Sequence, residues 1–257
     1  MKKLLFLMMV AAMPLAQAGT LLVAAASDLV YCIDELSAAF RKQVPGAEVK
    51  VSTGASGNFF AQIKRGAPFD VFMSADMDYP RQLAQQGAAD PASLTPYAIG
   101  RLAVWTLDPR LDPAVGMRLF ADARLRRVAI ANPEVAPYGR AARAALVHHG
   151  VWQHVEGKLA LGDNVAQAAQ FVQTGNAQVG IVSLATVLSP RMKGVGRHYV
   201  VPQQGLAPLE QGVVLTRHGK DNPLAARFLQ FLHTPAARDI LQRSGFGLPG
   251  AAADGTE

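Results

Sequence analysis

The sequence predicts an α/β fold, with parallel strands covered by helices on both faces. Three observations carry this expectation. Short apolar runs of strand length alternate with stretches of helical period along most of the 257 residues, the pattern of repeated strand–helix–strand units. Several of the runs are apolar at consecutive rather than alternate positions, as strands buried on both faces require. Half of the chain is apolar, so a mature length of about 240 residues can bury one large core or two modest ones.

Residues 21–26 form the first apolar run. Ser27 follows as an expected N-cap, and Leu29, Val30, Ile33, Leu36 and Phe40 recur at helical spacing. Pro45-Gly46 turns the chain into a second strand begun by Val49 and Val51. Ser56 is expected to cap a helix that carries Phe59, Phe60 and Ile63 and stops at Gly66, with Pro68 beyond. Val71–Met73 is a third strand. A second α/β unit runs from about Arg101 to Val201. Its expected strands are 102–105, 128–131, 159–161, 179–182 and 199–201, with helices near 139–149 and 165–173. Asn222-Pro223 and Thr234-Pro235 each set a capping side chain before a proline at the first helical position, and Gly245 closes the final helix. The tail beyond Pro249 is small and polar and is expected to fray.

The ends and the composition bound the function. Lys2 and Lys3, an apolar run over 4–12 and Ala16-Gln17-Ala18 read as a cleavable export signal over 1–18. The run is too short to cross a bilayer, and no later stretch of about 18 uninterrupted apolar residues follows. Without Lys2 and Lys3 the chain keeps 23 basic residues against 19 acidic ones. These are spread out, with no dense run beyond Arg124, Arg126 and Arg127, so a nucleic-acid partner is not expected. Cys32 is the only cysteine, which excludes a disulfide framework and a thiolate metal site. The six histidines show no H-E-x-x-H spacing, no G-x-S-x-G elbow is present, and Gly54-Ala55-Ser56-Gly57 lacks a G-K-[ST] ending. An exported hydrolase is therefore the weaker alternative, and no cofactor is expected.

In α/β sheets ligands sit beyond the carboxyl ends of strands, where helices begin. Four such junctions share small or hydroxyl residues: 24–29, 52–58, 131–139 and 161–165. A helix start leaves up to four backbone N–H groups free and carries about half a positive charge, which suits an anion. Ser27 and Ser56 would add hydroxyls, and Gly54 and Gly57 would let a bulky anion approach the backbone. Each serine taken alone is better explained as a cap, and it is the four junctions together that point to a binding site.

The chain also resembles a known family, the periplasmic molybdate-binding proteins of molybdenum ABC transporters, over nearly its whole mature length. The resemblance rests on AAAS at 24–27, GASG at 54–57 with AQI at 61–63, GAPFDVFMSAD at 66–76, NPEVAPYG at 132–139, GDNV at 162–165, GIVSLA at 180–185 and SGFGLP at 244–249. It implies the type II periplasmic binding protein fold: two Rossmann-like domains joined by a two-stranded hinge, with the ligand cleft between them. The first domain would comprise 19–98 plus 212–257 and the second 99–211, with chain crossings near 97–100 and 208–212. It also implies an exported, monomeric binding protein that captures molybdate, and tungstate as well, and delivers it to a membrane permease. Molybdenum would be held through its oxo groups, with no direct protein ligand. Ser27 and Ser56 match the family's ligand serines, while Tyr138 and Val165 fall where helix starts offer backbone N–H groups. Ser183 stands where some members carry a tyrosine donor. Asp28 is an oddity beside a dianion, and its expected role is that of a first-turn acid pointing away. Sulfate, thiosulfate and phosphate are the alternative ligands; phosphate would gain if Asp28 or Asp163 turned into the cleft.

Overall fold

The computed structural model describes residues 19–250. The expected export signal and almost all of the tail lie outside the described residues. In chain order the elements of the first sheet and its helices are β1 (Gly19–Ala26), α1 (Ile33–Gln43), β2 (Ala47–Gly54), α2 (Ser56–Lys64), β3 (Val71–Met73), α3 (Asp78–Gln85) and β4 (Thr95–Gly100). The second sheet draws on β5 (Leu102–Thr106), β6 (Val128–Ala131), α4 (Pro137–His148), α5 (Trp152–Val155), β7 (Leu159–Gly162), α6 (Val165–Gln173), β8 (Val179–Ser183), α7 (Leu184–Leu188) and β9 (Arg197–Val200). The chain then returns through β10 (Leu209–Leu215) to α8 (Pro223–Leu232) and α9 (Pro235–Arg243).

Among the described residues the strands form two five-stranded sheets, ordered β2-β1-β3-β10-β4 and β7-β6-β8-β5-β9. The α/β class is as expected, but the sheets are mixed rather than parallel. Parallel pairing holds for β1 with β2 and β3, and for β6 with β7 and β8. β10 runs antiparallel to β3 and β4, and β5 antiparallel to β8 and β9. The cause is the path of the chain. β5 and β10 enter their sheets from the other sheet, not through a helical crossover, so nothing obliges them to run parallel. β4 and β10 carry the two crossings and pair with each other, Leu209 opposite Gly100 and Gln211 opposite Ala98, with a register shift between Gln211 and Gly212.

Burial on both faces explains the consecutive apolar residues of β1. Leu21, Val23 and Ala25 pack with Leu29, Leu36, Phe40 and Phe228, while Ala24 faces Phe59, Ile63 and Phe72. Phe40 and Phe228 meet edge to face, their ring centroids 5.1 Å apart, a favoured aromatic geometry. In the second half Trp105 is fully buried, and its indole N–H donates to the Val195 carbonyl at 2.9 Å.

The helix punctuation near the C-terminus is as expected. Asn222 and Thr234 cap α8 and α9 through their side chains, each with proline at the first position. Asn222 does more than cap: its Nδ2 donates to the Thr20 carbonyl and to Asp70 Oδ2, both at 3.0 Å. Asp70 Oδ2 also accepts from the Leu22 N–H at 2.7 Å, so this pair ties α8 to the edge of β1. Asn222→Ala is expected to lower stability by about 1–2 kcal/mol, read as a lower urea midpoint at unchanged slope.

Candidate functional site

The expected N-caps fall one residue earlier than the serines. Ala26 and Ala55 occupy those positions, Ser27 opens a short 3-10 turn and Ser56 is the first residue of α2, and neither hydroxyl caps its helix. Freed from capping, both serines remain buried. Ser56 Oγ instead accepts from the Ala75 N–H at 3.0 Å, which fixes the oxygen and leaves the hydroxyl hydrogen free to donate.

On the opposite side, α4 begins with Pro137 after Ala136, so Tyr138 is its second residue. Val165 is the first residue of α6, whose Asn164 side chain accepts from the Gln167 N–H. Both positions have backbone N–H groups with no partner inside the helix. Ser27, Ser56, Tyr138 and Val165 line one small cavity, together with Asp28, Ala75 and Asn164. The four follow β1, β2, β6 and β7, so each stands at the carboxyl end of a parallel strand. Among the described residues no lysine, arginine or histidine lines this cavity. Its donors are uncharged, which suits an anion that carries its full charge and offers only acceptors.

A groove lies nearby along Asp76, Arg140 and the 206–210 segment. It is the larger space, but it contains none of the four junction residues, and its walls mix loop with parts of α3, α4, β4, β5 and β10. The smaller, buried cavity is where hydroxyls and helix starts converge, and chemistry outweighs size.

Other sequence expectations change as well. Ser183 is fully buried, but it does not line the cavity. Its Oγ accepts from the Thr186 N–H at 3.2 Å and lies 2.7 Å from Thr186 Oγ1, so it caps α7. Gly57 does not make room for an anion. Its N–H donates to the Val135 carbonyl at 2.9 Å, and a Cβ there would stand 2.7 Å from that oxygen, so it is the backbone ahead of α4 that approaches.

Asp28 does not point away from the cavity. It has no solvent exposure, and its Oδ2 accepts from Gln211 Nε2 at 2.5 Å. Gln211 in turn accepts on Oε1 from the Tyr97 hydroxyl at 2.6 Å, and the Tyr138 hydroxyl lies 3.5 Å from its Nε2. Burial pushes the Asp28 carboxyl up to about 6, against the Gln211 hydrogen bond and the nearby Tyr138 hydroxyl, which favour its charge. Burial, and then the nearby Asp28 charge, hold the Tyr138 hydroxyl well above the ordinary range. Asp163, by contrast, is exposed.

A second link joins the two halves beside the cavity. The Arg140 guanidinium on α4 pairs with Asp76 Oδ2 and donates to the Tyr79 hydroxyl at 3.2 Å. Asp76 is held by Ser74 Oγ at 2.9 Å and by the Tyr79 N–H at 3.1 Å. Burial raises the Asp76 carboxyl, and these bonds and Arg140 oppose that rise. Sequence reasoning marked the 66–76 block without giving Asp76 a role, and it missed Gln211 altogether. Gln211 lies 183 residues from its partner Asp28, a contact with no local signature.

Comparison with known proteins is consistent with this geometry. A family model described as bacterial extracellular solute-binding protein matches residues 21–247. A molybdate-binding protein ModA of Rhodobacter capsulatus is 38% identical over 242 residues, covering 94% of this chain and 93% of its own. The solved structure of the Azotobacter vinelandii periplasmic molybdate-binding protein superposes with a TM-score of 0.83 at 34% identity, over 89% of this chain and 99% of that one. The sulfate-binding protein SubI of Mycobacterium tuberculosis gives a TM-score of 0.74 at 15% identity, over 90% of this chain and 87% of that one, a likeness of fold alone.

Proposed function

Since the chain belongs to the bacterial extracellular solute-binding protein family, we propose that it captures molybdate outside the cytoplasm and passes it to the membrane permease of an ABC transporter. Tungstate, with nearly the same size and charge, is the expected second ligand. In this reading residues 1–18 are removed on export and the mature protein works as a monomer without catalysing a reaction. Residues 19–98 plus 212–257 act as one lobe and 99–211 as the other, moving about the paired β4 and β10 strands.

One observation carries the proposal: uncharged donors from four strand ends, two in each half, line a single buried cavity. Ser27 and Ser56 supply hydroxyls, and the starts of α4 and α6 supply the N–H groups of Tyr138 and Val165. Hydrogen bonds to a charged group contribute roughly 1.5–3 kcal/mol each, and micromolar binding requires only about 8 kcal/mol. Several such bonds therefore suffice without a cation. These four donors also favour an anion with no proton of its own over hydrogen phosphate, whose proton they leave unpaired at a cost of about 1–3 kcal/mol.

Calorimetric titration of refolded, ligand-free protein with molybdate, tungstate, sulfate and phosphate tests the proposal. Molybdate and tungstate are expected to bind at least about tenfold more tightly than the other two, a difference of about 1.4 kcal/mol. Sulfate binding as tightly as molybdate would sink the ligand assignment. Ser56→Ala is expected to weaken molybdate binding by about 1–3 kcal/mol. An unchanged affinity would remove Ser56 from the site.

A further inference from the structure

Asp28 is the one carboxylate in the wall of the cavity. Its Oδ1 is buried with no hydrogen-bond partner among the described residues, while Oδ2 accepts from Gln211. The Gln211 amide is oriented from its far side, because its Oε1 accepts from the Tyr97 hydroxyl. The NH2 group therefore faces Asp28 and serves Oδ2, and a proton carried by the carboxyl belongs on Oδ1.

Among the described residues no cation faces Asp28. The titratable groups around it are Cys32 ahead of α1, Tyr97 on β4 and Tyr138 on α4, and each is held neutral at physiological pH, chiefly by burial. The turn that carries Asp28 also packs on α6, α7 and the end of β2. The buried residues of α6 and α7 include no titratable group, and the near end of β2 is Gly54. A dianion brought into this cavity beside an ionised Asp28 would meet an uncompensated like charge at low dielectric, which is strongly unfavourable.

We propose that the missing partner of Asp28 Oδ1 is an oxygen of the bound oxyanion, and that Asp28 takes up one proton from solvent as the anion enters. This rests on the oxyanion reading of the cavity. An O–H bond forms at Oδ1, no bond of the anion breaks, and the carboxyl changes from a repelling charge into a donor. It also sharpens selectivity. With Oδ1 protonated and Oδ2 engaged by Gln211, the carboxyl presents a donor to hydrogen phosphate, whereas an ionised one would present an acceptor to its proton.

The sign of the pH dependence follows. Burial already pushes the carboxyl up to about 6, and a neighbouring dianion raises it further. Above about pH 6 the free protein has lost the proton that the complex keeps, so affinity falls as pH rises, by about tenfold per unit.

The test is calorimetric titration of the mature chain with molybdate, run at each pH in buffers of differing ionisation enthalpy. Over about two pH units from 6.5 upward the affinity is expected to fall about 100-fold, with uptake approaching one proton per anion at the upper end. Asp28→Asn, which carries a permanent donor, is expected to take up no proton and to bind with no slope. The wild-type proton count stands whether or not the variant folds. Binding of molybdate without uptake overturns the inference and leaves the proposed function standing. So does a slope that persists in a folded Asp28→Asn. Phosphate binding more tightly than molybdate and without uptake overturns it too, since Asp28 would then be the acceptor. Failure of molybdate, tungstate, sulfate and phosphate alike to bind overturns the functional reading and this inference with it.

Discussion

Gly57→Val is expected to cost at least about 100-fold in molybdate affinity, about 2.7 kcal/mol, while the protein stays folded. Gly57 sits in the first turn of α2, at a backbone conformation open to any residue, so the helix itself tolerates a side chain. What it does not tolerate is the other half of the molecule. A Cβ would lie 2.7 Å from the Val135 carbonyl and 2.6 Å from the Tyr79 hydroxyl. The tyrosine can swing aside. The carbonyl cannot, because Val135 and Ala136 both donate to the Asn132 carbonyl in a tight turn ahead of α4. The two halves must then stand apart, and the N–H groups of Tyr138 and Val165 no longer reach an anion resting on Ser27 and Ser56. The check pairs calorimetry with thermal unfolding. The affinity should collapse while the unfolding midpoint moves by a few degrees, roughly what 1 kcal/mol produces in a chain of this size. Affinity within a few fold of wild type would mean that the halves do not close along this contact.

The legible part of the candidate site was the part written in consecutive residues. The strand-to-helix junctions at Ser27, Ser56, Tyr138 and Val165 are local patterns, and the fold needed only to bring them together. The caps at Asn222 and Thr234 were legible for the same reason. Three things were not. The antiparallel course of β5 and β10 depends on where the chain crosses between sheets, which alternation of strand and helix does not encode. β4 and α3 passed unrecognised, the first because Pro96 and Gly100 dilute its strand character and the second because Pro80 interrupts its helical pattern. The environment of Asp28 is set by Tyr97, Tyr138 and Gln211, which come from three separate elements. A rule for acids in the first turn of a helix pointed Asp28 outward, but the turn that holds it is only three residues long. It presents too little dipole to dictate where a carboxylate lies, and the Gln211 amide holds it instead. Ser183 is the converse case. Its position in the GIVSLA motif suggested a ligand contact, but the next helix needs a cap and Thr186 takes the hydroxyl.

Gly139→Ala sets helix propensity against packing, and the two give opposite signs. Within a helix, replacing glycine by alanine stabilises by up to about 1 kcal/mol. Gly139 lies in the first turn of α4, where the added Cβ would stand 2.3 Å from the Ala131 carbonyl oxygen and 2.8 Å from two further backbone carbons. Those atoms belong to the end of β6, which is fixed by pairing with β7 and by the Asn132 N–H on the Gly162 carbonyl at 2.7 Å. With no side chain free to yield, α4 itself must withdraw. The expected net result is a loss of about 3 kcal/mol, at the upper end of what overpacking costs. Molybdate binding should weaken as well, because the Tyr138 N–H moves with the helix. Gly157 supplies the contrast: nothing lies within 4 Å of its added Cβ, so Gly157→Ala should leave the denaturation midpoint unchanged or slightly raised. If Gly139→Ala also raised it, α4 would not be seated on the end of β6, and the convergence of N–H groups on the cavity would lose its support.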